Sequence, residues 1–154
     1  MILVDTNVFV IDLRYRRDPL YRLNRRFLDR LAKEGSGATT LFNLLEVAGI
    51  LSFNLNEEQL MNLLSLFPGQ YGIAILPPLD LESNLPRISQ GALAKRISRR
   101  CAFGDALVIE AVERHAPKAA CFVTWDADHF VGRTVLQVMT PERALRTWGR
   151  HSSR

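Results

Sequence analysis

Apolar residues follow two rhythms along this chain. Short runs that stop abruptly alternate with longer stretches in which apolar positions recur every three or four residues. Met1–Val4, Ala38–Thr40, Gly72–Leu76, Ala120–Thr124 and Val135–Val138 are too short to be helices by themselves and read as strands. Between them lie helical patterns. One begins at Thr6–Val10, directly after Asp5. In the next, Leu20, Leu23, Phe27, Leu28 and Leu31 share a face; Asp18–Pro19 is expected to open it as N-cap and first helical residue, and Gly35-Ser36-Gly37 to end it. Leu41–Phe53 is apolar nearly all round and is expected to be buried. Asn56-Glu57-Glu58 opens a fourth helix to about Phe67, where Pro68-Gly69 should break it. The polar, basic stretch from Ser83 to Arg100 is expected to be partly helical, Gly104-Asp105 opens a helix to about His115, and Pro141 opens the last. This alternation predicts an α/β domain whose parallel sheet is covered on both faces, spanning residues 1–148, with residues 149–154 a frayed tail.

Composition narrows the picture modestly. The 154 residues are 47% hydrophobic and 23% charged, enough for one sizeable core and ordinary for a soluble protein. No basic segment precedes the first apolar run and no stretch is long enough to span a bilayer, so a cytoplasmic protein without membrane association is expected. Cys101 and Cys121 lack metal-ligand spacing and read as two buried free thiols. The net charge of +4 permits a polyanionic partner without requiring one, and only Lys33, Lys95 and Lys118 among the basic residues are not arginine.

Four acids resist a purely structural account. Asp5 ends the first apolar run, and Asp126 follows Cys121-Phe122-Val123-Thr124-Trp125. In open α/β sheets sites form at the carboxyl ends of strands, so both are expected at that edge. Glu46 sits among apolar residues with no evident water-facing side, near Phe42, Ile50 and Phe53 and flanked by Asn43 and Gly49. Asp105 shares the face of Val108, Ile109 and Val112 in a first helical turn. Each has an ordinary alternative: a helix cap for Asp5 or Asp126, a favourable dipole for Asp105, an arginine partner for Glu46. Taken together, four carboxylates from separate segments call for positive charge between them, and hard oxygen ligands suit Mg²⁺ or Mn²⁺. Zinc fits less well, because His115, His129 and His151 do not pair with a cysteine at ligand spacing.

At these residues the sequence resembles the PIN-domain family and, within it, the VapC-type toxin ribonucleases. The resembling segments are Ile2-Leu3-Val4-Asp5-Thr6-Asn7-Val8-Phe9, Thr39-Thr40 through Glu46, Phe103-Gly104-Asp105-Ala106-Leu107, and Val123-Thr124-Trp125-Asp126-Ala127-Asp128-His129-Phe130, in the family's order. The resemblance implies a three-layer α/β/α fold with a central parallel sheet of four to five strands. It implies one or two Mg²⁺ or Mn²⁺ ions in an acidic pocket and hydrolysis of RNA phosphodiester bonds to a 5′-phosphate and a 3′-hydroxyl. Asp5, Glu46, Asp105 and Asp126 carry over as metal-site acids, Asp128 as an extra ligand or an alternative to Asp126, and Thr6, Asn7 and Thr124 as supporting polar residues. A homodimer and a small antitoxin partner, as in a type II toxin–antitoxin pair, are also implied. Substrate phosphates would be met by Arg22, Arg25, Arg26 and Arg30, or by Lys95, Arg96, Arg99 and Arg100, although both groups also suit a solvated helix face. Trp125 is placed either to stack on a base or to pack.

Three rival readings remain at this level. An aspartyl phosphatase would favour an acid two residues after Asp5, where Asn7 stands. A receiver domain would want a strand-end lysine, and Lys118 precedes its strand. A non-catalytic PIN-like module would bind RNA or protein without turnover.

Overall fold

A computed structural model describes residues 1–151, and side chains through residue 148. Five strands, β1 (Ile2–Val4), β2 (Gly37–Thr40), β3 (Ile73–Leu76), β4 (Cys121–Val123) and β5 (Val138–Met139), form one sheet in the order β3-β2-β1-β4-β5. Every pairing is parallel. The intervening helices are α1 (Thr6–Arg14), α2 (Tyr21–Glu34), α3 (Leu41–Leu51), α4 (Glu57–Tyr71), α5 (Gln90–Ile97), α6 (Phe103–His115), α7 (Ala127–Phe130) and α8 (Pro141–His151).

Side-chain alternation along the strands divides the interior in two. Val4, Ile73, Ile75, Cys121, Val123 and Met139 face a core built with α1, α2, α3, α4 and α8. Leu3, Ala38 and Phe122 face a smaller core built with α6 and α7, against which Leu93 of α5 packs. The result is the expected three-layer α/β/α domain. Both cysteines are free and buried. Burial pushes the Cys121 thiol up to about 11.

Several boundaries differ from the sequence expectation, each for a local reason. Asp18–Pro19 does not start α2. The Asp18 carboxylate instead accepts the Leu20 amide at 2.8 Å, closing a turn, and α2 begins at Tyr21. Pro68 does not break α4. The helix runs on to Tyr71 because Phe67 and Tyr71 pack edge-on against Phe9, with ring centroids 4.9 and 5.0 Å away, and it ends at the left-handed Gly72. Helix α3 stops at Leu51 and leaves Phe53 86% exposed. It is also not buried all round, since Glu46 and Gly49 reach solvent. The last strand shifts to Val138–Met139, and Val135 lies exposed before it. Within the polar stretch, α5 forms behind the Ser89 N-cap. Helix α8 extends to His151; residues 152–154 of the expected tail lie outside the described residues.

Candidate active site

Strands β1 and β4 are neighbours in register, Val4 beside Val123, although most of the chain separates them. The chain leaves β1 toward β2 on one side and returns to β4 on the other, so a topological switch point opens at their carboxyl ends. Asp5 is the first residue past β1, and its amide bonds to the Val123 carbonyl at 2.9 Å. Its extended backbone caps α1, and its Oδ1 accepts the Thr6 amide at 2.8 Å. The cap and the strand together fix this carboxylate at the switch point.

Asp5, Glu46, Asp105 and Asp126 line one hollow of about 230 Å³, together with Thr6 and Asn7. A hydrogen-bond lattice sets its floor. The Asp5 carboxylate also accepts from Asn43 Nδ2 at 3.0 Å and from Thr124 Oγ1 at 2.7 Å. Thr6 Oγ1 donates to Glu46 at 2.5 Å and accepts from Asn43 at 3.0 Å. Asn7 Nδ2 donates to Thr124 Oγ1 at 2.9 Å, and its Oδ1 accepts the Trp125 amide at 3.1 Å. The Asp126 amide donates to Thr124 Oγ1 at 3.0 Å. Thr6, Asn7 and Thr124 thus stitch the ends of β1 and β4 to α3.

The four acids differ in environment. Asp5 is buried, and that burial pushes it up to about 6; the Thr124 and Thr6 bonds oppose the shift, and the charges of Glu46 and Asp105 add to it. Asp105, in the first turn of α6, is also raised, chiefly by burial; His129 and Arg133 oppose the shift and Asp126 adds to it. Glu46 is exposed, which corrects the expectation of a sealed glutamate: the hollow itself is the opening its helix faces. Asp126 is exposed and lies 3.1 Å from His129 Nδ1. Asp128 is exposed and is not part of the hollow's lining, whereas Asp126 is.

The donors are of the chemical type that suits a hard divalent cation. Four carboxylates face one hollow, and no lysine or arginine lines it. Among the described residues no three His, Cys, Asp or Glu side chains are gathered closely enough to hold a metal ion between them. That is compatible with Mg²⁺, which keeps several waters and takes few carboxylates directly.

The arginines are placed unequally. Arg25 bonds to Asp12 and Asp29, and Arg30 to Glu34. Arg96 is bound to Glu110, to Glu113 and to the Arg133 carbonyl, so its guanidinium is structural rather than free for phosphate. Arg22, Arg26, Arg99 and Arg100 are exposed, as is Lys95. Trp125 is a packing residue: its Nε1–H donates to Asn24 at 2.8 Å and its ring packs on the larger core. The sequence reading missed Asn43 and Asn24 as polar anchors. Their signal was an asparagine inside an apolar helical face, where an unpaired amide is costly.

An open parallel sheet with acids gathered at its switch point defines a class of α/β proteins. Within that class, comparison with solved structures places this chain beside two. One is VapBC2 from Rickettsia felis, bound to a DNA fragment from its promoter: 20% identity, 91% of this chain and 98% of that chain covered, TM-score 0.57. The other is FitAB bound to the IR36 DNA fragment, at 16% identity, 92% and 96% coverage and TM-score 0.57. The chain has a PIN-domain, VapC-like fold. No family model and no curated protein matches the sequence.

Proposed function

We propose that this chain is a Mg²⁺- or Mn²⁺-dependent endoribonuclease and the toxin of a type II toxin–antitoxin pair. The observation that carries the activity is the convergence of Asp5, Glu46, Asp105 and Asp126 on one hollow that no lysine or arginine lines. The fold's likeness to structures named as two-component complexes, VapBC2 and FitAB, supports a small antitoxin partner, and a homodimer goes with that reading. No helix among the described residues is long and apolar enough to cross a membrane.

Asp5, Glu46, Asp105 and Asp126 would hold the cation, with Asp128 outside the lining as a ligand through water. When bound, the cation eases loss of a proton from water and neutralises charge on the phosphate. The chain's own contribution is positioning. Asn43, Thr124 and the Thr6 amide fix both oxygens of Asp5. Thr6 aims Glu46. Asn7 and Thr124 lock the turn that carries Asp126. No histidine lines the hollow, so proton transfer falls to carboxylates and water.

The decisive experiment is cleavage of end-labelled RNA by purified protein in Mg²⁺ or Mn²⁺ against EDTA, with products read for 5′-phosphate. Asp5→Asn is expected to lower the rate by more than the ~10–100-fold typical of residues that merely support a metal site. Undiminished metal-dependent cleavage by that variant would refute the assignment. Because no three potential ligands are gathered closely enough to hold a metal ion among the described residues, a binding-only module is the second reading; multiple turnover of the RNA rejects it.

A further inference from the structure

A second hollow adjoins the acidic one. It measures about 180 Å³ and is lined by Arg96, Arg99, Cys101, Gly132 and Arg133. The two share a turn. Phe130 lines the acidic hollow, Gly132 and Arg133 line the basic one, and the Arg133 amide bonds back to the Phe130 carbonyl at 3.0 Å. Gly132 has φ 75°, a left-handed conformation that glycine takes without penalty.

The opposite wall is Arg96, in the last turn of α5, with Arg99 and Cys101 in the segment just beyond the helix. Arg100 there has φ 62°, the one positive value at a non-glycine among the described residues. A side chain in that conformation costs about 1 kcal/mol, and such strain collects at functional sites. The α5 end is pinned by Arg96, whose guanidinium bonds to Glu110, to Glu113 at 2.6 Å and to the Arg133 carbonyl at 2.8 Å. Arg96 therefore braces the two walls, and its charge is spent. Arg99 and Arg133 form no ion pair with a carboxylate among the described residues. Arg133 is half-buried, reaches the Cys101 thiol, and its charge is felt at Asp105.

The geometry points to this hollow as a subsite for a backbone phosphate of RNA flanking the linkage at the acidic hollow, with Arg99 and Arg133 as its ligands. The inference rests on the ribonuclease reading and specifies where the strand runs. Carboxylates that gather a cation repel the phosphates on either side of the one being cut. Guanidinium groups offset that repulsion, and their paired N–H groups match phosphate oxygens. Of the two, Arg133 lay outside both arginine groups singled out from the sequence, because only the Phe130–Arg133 turn brings it to the site.

The test uses a fluorescein-labelled single-stranded oligoribonucleotide spanning a linkage that the wild type cleaves. Binding is followed by anisotropy in EDTA across a salt series. Arg133→Gln and Arg99→Gln should each weaken binding about tenfold and flatten the plot of log affinity against log salt, and the double variant should flatten it by about 0.7, the contribution of one single-strand phosphate. Arg99→Lys should restore the slope, and Lys118→Gln, which removes a charge elsewhere, should change neither quantity. A neutral methylphosphonate at the flanking linkage should weaken the wild type more than it weakens Arg133→Gln. In cleavage assays the variants should raise KM and leave kcat near the wild-type value. If Arg133→Gln melts early, exposed Arg99→Gln and the methylphosphonate series carry the test. Wild-type cleavage combined with unchanged binding by both variants, or with no sensitive flanking linkage, overturns the subsite alone. A wild type that neither binds nor cleaves RNA overturns the ribonuclease reading along with it.

Discussion

Asp5 serves three ends at once: it terminates β1, caps α1 and points into the hollow. Those roles hold a buried carboxylate whose pKa is pushed up to about 6 from 3.8, mainly by burial. Between these values the folded chain keeps a proton that the unfolded chain releases. Folding stability supplied by this group therefore falls as pH rises from about 4 to about 6 and is level above that. Asparagine at the position does not titrate. In EDTA, the unfolding free energy of the wild type minus that of Asp5→Asn should decrease between pH 4 and pH 7, by at most roughly 3 kcal/mol. Urea titrations at a series of pH values measure it, and a difference independent of pH would remove the burial argument. Asp5 was legible in the sequence only jointly with the other three acids, because a lone acid after an apolar run reads first as a helix cap. Asn43 was not, since its partners Asp5 and Thr6 lie on a distant segment and helical spacing alone made it a neighbour of Glu46. Glu46 was found for a partly mistaken reason: its helix does have an open side, and that side is the site.

At the scale of elements, β2 shows what periodicity cannot convey. Its residues Gly37, Ala38, Thr39 and Thr40 are all buried, yet none is large. Small side chains let β3 and α2 close on the strand. A Cβ at Gly37 would lie 2.6 Å from Ile73 Cγ2 and 2.8 Å from Leu31 Cδ2, both side chains of the core. Gly35, two residues earlier, acts differently, because its φ of 59° ends α2. The sequence reading gave both glycines the stop signal, because composition does not distinguish a turn from a close approach. Gly37→Ala should destabilise the domain by about 1–3 kcal/mol through overpacking. Gly49→Ala, in an exposed helical position with nothing within 4 Å, should stabilise it by roughly 0.5–1 kcal/mol. Urea midpoints of the two variants should thus move in opposite directions at unchanged slope; parallel shifts would contradict the packing described for β2. The same competition explains the displaced boundaries. Propensity placed a helix start at Asp18–Pro19 and a break at Pro68, but an Asx turn and the Phe9–Phe67–Tyr71 cluster decided them.

For the whole molecule, the acids belong to four segments that meet only when the sheet is complete. Asp5 follows β1, Glu46 lies on α3, Asp105 on α6 and Asp126 after β4, and the β1–β4 pairing spans most of the chain. The alternation of short apolar runs and helical stretches was enough to foresee that assembly, since parallel strands covered on both faces bring their carboxyl ends to one edge. It was not enough to foresee the sheet order, which depends on which strand the returning chain chooses. The order matters because β4 beside β1 creates the hollow. An unfolded chain scatters these carboxylates, so a cation that they hold binds the native state alone and must stabilise it. The gain is RT ln(1 + [L]/Kd), about 2.7 kcal/mol at a hundredfold excess over Kd. MnCl₂ should therefore raise the melting temperature above that seen in NaCl of equal ionic strength. The increment should shrink in Glu46→Gln and in Asp105→Asn, which each remove one charge from the hollow without emptying it. Ionic strength alone would screen repulsion among the acids in both salts equally. Equal melting curves would then mean that the acids meet in space without holding an ion together.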